Sequence, residues 1–166
     1  SAASDVYKRQ ANFRDKVVLD VGAGSGILSI WAAKAGAKKV IACEFTEMAA
    51  HARRLVKANG LEDVVDVRRS AVEALDLEKG SVDIIISEWM GYFLLRESML
   101  DSVIYARDRY LKPGGALYPS HAKMYWCPVA LQDDRDAKLA ETADTLAEWD
   151  AFEAVSYTHL TLPTNG

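Results

Sequence analysis

Nowhere in the 166 residues does an apolar run approach the roughly 20 residues that a membrane-spanning helix needs. No secretory signal pattern is read either, so no membrane partner is expected and the protein is expected to be intracellular, in cytoplasm, nucleus or both. Cysteine is scarce. Cys43 and Cys127 have no CxxC or metal-ligand spacing and read as reduced, structural thiols. Histidine is scarce too. His51 falls on a predicted helix, His121 just after a proline turn and His159 near the end, none with a metal-ligand role, so no metal is expected. An excess of basic charge is missing. The net charge of -4 argues against direct nucleic-acid binding, which wants a basic face, and is compatible with a basic protein as substrate. Internal repeats and low-complexity tracts are also absent.

What is present is an ordinary soluble composition, half of it hydrophobic, with room for one domain or most of a larger one. Val17–Val21 is a β-branched run that reads as a buried strand, and Ile27–Lys34 as the helix after it, stopped by Gly36. Lys39–Glu44 is the second strand. Glu47–Asn59 is an amphipathic helix with Met48, Leu55 and Val56 toward the core. Val64–Val67 and Val82–Ile86 are further strands, the latter apolar enough to be covered on both faces. A helix from about Glu97 to Leu111, a turn at Lys112–Gly115 and a short strand at Ala116–Pro119 follow. Lys123–Val129 alternates like a strand, and Asp133–Trp149 reads as a solvated helix. Strands and helices in alternation define an α/β domain. Residues 1–10 and 155–166 show no periodicity. Both are expected to be non-native or disordered ends and are left out of the fold.

Two stretches carry chemistry. The first strand ends in Asp20-Val21-Gly22-Ala23-Gly24-Ser25-Gly26, a tight glycine turn before a helix N-terminus, where backbone approaches a ligand. The third glycine of G-x-G-x-x-G would fall at Ile27, which argues against a dinucleotide. No Lys-Ser/Thr follows as in a P-loop. Glu44 ends the second strand about 20 residues on, placed to accept from both ribose hydroxyls, or simply to cap the next helix or face solvent. Glu73 follows Val72 in a short loop, where it is placed to accept from an adenine amino group or to face water. Gly22, Glu44, Glu73 and Glu88 all fall at the carboxyl ends of strands, where α/β sheets bind ligands.

The second stretch is Ser87-Glu88-Trp89-Met90-Gly91-Tyr92-Phe93-Leu94-Leu95-Arg96-Glu97-Ser98-Met99-Leu100. Glu97 stands nine positions after Glu88. One continuous helix would put them on opposite faces, at about 100° per residue. With a strand before Glu88, a turn through Gly91 and a helix after Glu97, both can face one space. Two converging carboxylates want a cation between them, and a guanidinium, with its planar fork of donors, matches best. The alternative is a turn with two solvated glutamates.

The glycine turn with Glu44 resembles the cofactor motifs of class I S-adenosylmethionine-dependent methyltransferases. The Glu88/Glu97 stretch resembles the double-glutamate loop of protein arginine N-methyltransferases. The resemblance runs without a gap from about Phe13 to Pro128. It implies a Rossmann-like domain with a mostly parallel twisted sheet over residues 11–119. Residues 120–154 would begin a C-terminal β-barrel for substrate, broken off early, so the chain is expected to be a fragment with weak cofactor binding and little activity alone. The resemblance further implies that Asp20, Gly22, Gly24 and Gly26 hold the methionine end of S-adenosylmethionine, Glu44 its ribose, and Val72 and Glu73 its adenine. Glu88 and Glu97 would be catalytic, Tyr92 would line the substrate pocket, and Met99 would shape the space around the receiving nitrogen. Arginine-containing proteins, such as Arg/Gly-rich segments or histone tails, would be the substrates, and the complete protein a homodimer. Two other classes stay open: a methyltransferase of a small molecule, and a non-catalytic cofactor-binding scaffold.

Overall fold

A computed structural model describes residues 10–128 and 132–159, with side chains for 11–128 and 132–149. The chain falls into two compact units, divided after Met124. In the first, β1 (Val17–Val21), α1 (Ile27–Lys34), β2 (Lys39–Glu44), α2 (Met48–Ala58), β3 (Val65–Arg69), β4 (Val82–Ile86), α3 (Leu100–Tyr110) and β5 (Leu111–Tyr118) follow in order. Short 3-10 turns stand at Gln10–Phe13 and Val72–Ala74. The sheet order is β3-β2-β1-β4-β5, parallel at every pairing. After β3 the chain returns to the other side of β1, so the strand order reverses between β1 and β4. Such a switch point opens a crevice at the carboxyl ends of the strands.

Alternation along each strand builds two cores. Val18, Val40, Val65, Ile84 and Ile86 face α1 and the Phe13 turn. Leu19, Val21, Ile41, Cys43 and Ile85 face α3, packing on Val103, Ala106 and Tyr110. Coverage on both faces is why the strands read as nearly unbroken apolar runs. The same alternation turns Asp20 toward α1, in among side chains, where Ser29 meets it.

Four expectations change. The core face of α2 is Ala49, Ala52 and Val56, while Met48 and Leu55 stay exposed. Small residues let the helix come close: a β-carbon on Gly26 would lie 3.3 Å from that of Ala52. The α3 helix starts at Leu100 instead of near Glu97, because Ser98 takes a left-handed φ of 53° and cannot join it. Lys112–Gly115 is a bulge inside β5: Val82 pairs with Leu111 but Ile84 with Ala116, the extra residues being absorbed at Gly114, φ 76°. Finally, residues 121–128 form no strand, and Val129 lies outside the described residues.

The second unit, taken by itself, holds α4 (Gln132–His159). The helix expected over Asp133–Trp149 is therefore present and runs further, into part of the stretch set aside as a patternless end. Residues 1–9 and 160–166 of the two expected ends lie outside the described residues. Among the described residues no helix is long and apolar enough to cross a membrane.

Candidate functional site

Where β1 ends, Gly22, Gly24 and Gly26 all take left-handed φ values, of 71°, 54° and 81°. Such a turn is open to glycine and strained for other residues, which explains the spacing G-x-G-x-G. A β-carbon on Gly22 would stand 2.3 Å from Cε of Met99, so the turn and the start of α3 touch. Gly26 caps α1 and is buried.

Glu44 is the best-held carboxylate of the cleft. Its Oε1 accepts from the Thr46 backbone N–H at 2.8 Å and the Thr46 hydroxyl at 2.6 Å; its Oε2 accepts from the Gly24 N–H at 2.8 Å. Burial pushes its pKa up, but the Thr46 and Gly24 donors outweigh that and hold it below the ordinary value. A carboxylate has about four acceptor positions, so these donors leave one free, on Oε2. The expected reach to both ribose hydroxyls therefore requires the Thr46 hydroxyl to give way to one of them.

Across the cleft, Glu73 sits on the Val72–Ala74 turn and accepts from the Ser102 hydroxyl at 2.7 Å. The Cys43 thiol donates to the Ser70 carbonyl at 3.1 Å. Burial, then the charges of Glu44, Glu73 and Asp20, push it up to about 12, so it stays a thiol and not a nucleophile.

The loop between β4 and α3 is wound tightly. Ser87 donates to the Val21 carbonyl at 2.7 Å and ties the end of β4 to β1. Trp89 is buried against the α3-side core. Phe93 and Leu94 both take left-handed φ values, 56° and 62°, costly for bulky residues at roughly 1–3 kcal/mol each. Gly91 bridges to Leu94, and a β-carbon on it would lie 2.6 Å from Cγ of Glu97. Only glycine lets the Glu97 stem lie there. Tyr92 is 79% exposed, with the Arg96 guanidinium 5.5 Å above its ring.

Together these parts line a cleft of about 420 Å³, within the usual range for a small-molecule site. It brings together Gly22, Glu44, Val72, Glu73, Glu97 and Met99 from the expected set. Sequence reasoning missed Phe45, Thr46, Ser70 and Ser102, which also line it. Ser102 had a legible signal, standing one helical turn after Met99 on the same face. Another groove, of about 510 Å³, runs beside edge strand β3, but its walls are not at the strand carboxyl ends. Volume does not select the site.

The structure does not bring the rest of the set to the cleft wall. Asp20 is expected to hold a ligand but is 1% exposed and accepts from the Ser29 hydroxyl at 2.6 Å, beneath the turn. Burial raises its pKa to about 7 against the opposing hydrogen bonds of Ser29, with a smaller push from Glu44. Gly24 acts through its N–H on Glu44. Glu88 and Tyr92 are exposed and do not line the cleft, so Glu97 reaches it without them.

Among the described residues the cleft walls carry Glu44, Glu73 and Glu97 and not one lysine, arginine or histidine. Three carboxylates with no cation disfavour a phosphate-bearing ligand and favour one with hydroxyls, an amino group and positive charge. S-Adenosylmethionine, a sulfonium nucleoside, fits those requirements. No group of acidic, cysteine or histidine residues suited to a metal occurs among the described residues.

Fold and cleft together define a Rossmann-like α/β domain built to take a nucleoside. The methyltransferase domain family matches residues 18–115, more than half of the chain, and the chain belongs to that family. It is 54% identical over 149 residues to protein arginine N-methyltransferase PRMT10 of Oryza sativa subsp. japonica, covering 90% of this chain and 39% of that protein. The crystal structure of Arabidopsis thaliana protein arginine methyltransferase 10 aligns with a TM-score of 0.81 at 51% identity, over 98% of this chain and 46% of that one. A Trypanosoma brucei PRMT1 enzyme-prozyme heterotetrameric complex with AdoHcy aligns at 0.67 and 51% identity, over 71% and 37%. The chain thus spans about two fifths of the length of the curated relatives it matches.

Proposed function

We propose that the chain is the cofactor-binding and catalytic part of an enzyme that transfers a methyl group from S-adenosylmethionine to a guanidinium nitrogen of arginine in proteins. The observation that carries the reading is the cleft of Glu44, Glu73 and Glu97, free of cationic side chains among the described residues, with Met99 laid on the Gly22 turn. Similarity to the arginine methyltransferases supports the choice of acceptor. S-Adenosylmethionine bound in this cleft would supply an electrophilic methyl group on a sulfonium.

The residues of the chain do the rest. Gly22 would admit the ligand close to backbone, Glu44 would accept from ribose, and Glu73 would accept from the adenine amino group. Arginine arrives protonated, its pKa roughly 12.5 to 13.8, and is a poor nucleophile. Glu97, joined by Glu88 from the other end of the loop, grips one side of the fork and draws positive charge toward itself. The far nitrogen would be left richer in electrons, able to form the new N–C bond as the methyl–sulfur bond breaks and S-adenosylhomocysteine leaves. A carboxylate or water then takes the proton. Glu88 is exposed, between buried Ser87 and buried Trp89. Asp20 supports the turn from beneath through Ser29. Arg/Gly-rich segments and histone tails are the proposed substrates, and the longer protein is proposed to act as a homodimer in cytoplasm or nucleus.

The position of Glu88 outside the cleft wall favours a second reading, a methyltransferase of a small molecule. Mass spectrometry of an Arg-Gly-rich peptide, incubated with the full-length protein and S-adenosylmethionine, separates the two. Added methyl groups on arginine are expected; an unmodified peptide alongside a methylated small molecule would overturn the arginine reading. The 166-residue chain is expected to give little product in the same assay.

A further inference from the structure

Between Lys79 and Arg107 the chain carries a single lysine or arginine, Arg96, and it directly precedes Glu97. Arg96 is exposed and does not line the cleft, whereas Glu97 does. Two contacts fix its place. The Arg96 N–H donates to the Tyr92 carbonyl at 3.2 Å, closing a turn, and the guanidinium stands 5.5 Å from the centroid of the Tyr92 ring. Stacking on a ring face restrains a guanidinium without using up its N–H donors. No ion pair among the described residues includes Arg96, so its charge is not neutralised by a neighbour. Everything else charged around it is acidic: Glu44, Glu73 and Glu97 in the cleft, Glu88 and Asp101 on the exposed ends of the loop. An acidic cleft alone draws any basic segment and does not tell a lone arginine from one set among other cations. A fixed positive charge at its edge does. An arginine that reaches Glu97 carries its flanking residues past position 96, one Cα step of about 3.8 Å away, within the screening length of about 10 Å at 0.1 M salt.

We infer that Arg96 is a specificity-determining residue: stacked on Tyr92 beside Glu97, it repels a cation and pairs with a carboxylate in the residues that flank the target arginine. This rests on the proposal that the chain methylates arginine in proteins. The cleft glutamates supply attraction for the target, and Arg96 supplies the repulsive contact that turns attraction into selection. Arginines spaced by glycine or followed by an acidic residue are then favoured over arginines in a dense basic run.

The test uses the full-length protein and two peptides with a common Gly-Arg-Gly centre, flanked on both sides by Asp in one and by Lys in the other. Mass spectrometry of the methylated peptides gives kcat/KM for each, and the readout is the Asp-to-Lys ratio within one variant. Exposed charge contacts are weak, so Arg96→Gln is expected to lower that ratio about threefold and Arg96→Glu about tenfold. Both shifts are expected to shrink to less than about twofold at about 0.5 M salt. Because the readout is a ratio, a partly unfolded sample slows both peptides and leaves it intact. An Arg96→Glu ratio equal to wild type, or a shift that persists at high salt, would overturn the role of Arg96 and leave arginine methylation standing. Failure of the wild type to modify either peptide would overturn the proposed function, and this inference with it.

Discussion

The two sides of the cleft are built differently. On the glycine-turn side, Glu44 is buried, accepts three donors and sits at the end of a central strand. On the loop side, Glu97 is exposed, backed by Gly91, in a segment with three non-glycine residues at left-handed φ. One carboxylate is set before a ligand arrives. The other stands at the mouth, where an acceptor cation can complete it. Under the proposed function the contrast would divide the work: the rigid side would recognise a nucleoside, and the strained side would handle chemistry whose geometry exists only when both substrates are present.

Substitutions can break that division. Glu97→Gln in the full-length enzyme, once shown active, is expected to cut turnover on the order of a hundredfold, as loss of one electrostatic stabiliser does, while cofactor affinity stays nearly constant. Single-turnover kinetics beside a binding titration would check it. An equal loss of affinity would mean that the loop also belongs to the nucleoside side.

Next is the buried acid under the turn. The folded pKa of Asp20, about 7, lies above its ordinary value of 3.8. Its contribution to stability is therefore fully present below about pH 4 and lost as pH rises to about 7. Asp20→Asn stays neutral and still accepts from Ser29. The variant is expected to gain about 2 kcal/mol on wild type between pH 4.5 and 7.5, a cautious fraction of the full linkage value. Urea midpoints at the two pH values give the comparison, and parallel curves would show that Asp20 is ionised in the fold.

A smaller effect is expected at Glu44. Glu44→Gln removes a charge but keeps one carbonyl acceptor, so affinity for S-adenosylhomocysteine should fall about tenfold with no change in the pH dependence of stability near neutrality. Unchanged affinity would leave Glu44 as a brace for Gly24 and Thr46 and nothing more.

The strand–glycine–helix order was legible because a doubly covered strand must be apolar and a left-handed turn selects glycine. Glu44 and Glu73 were legible because strand ends open on the crevice. The bulge at Lys112–Gly115 was not, since proline and glycine signal a turn whether or not the strand resumes in register. Nor was the α2 face, where contact distance, not hydrophobicity, favoured Ala49 and Ala52 over Met48 and Leu55.

By itself the order of residues determined the sheet, the position of the cleft and its acidic character, because these depend on alternation, backbone conformational freedom and the identity of strand-end residues. Only the folded molecule decided which way each acid points. It turned Asp20 inward onto Ser29, filled most of Glu44 with donors, laid Glu97 over Gly91 and left Glu88 outside. Side-chain direction depends on partners distant in the chain, and spacing along the chain carries no record of them.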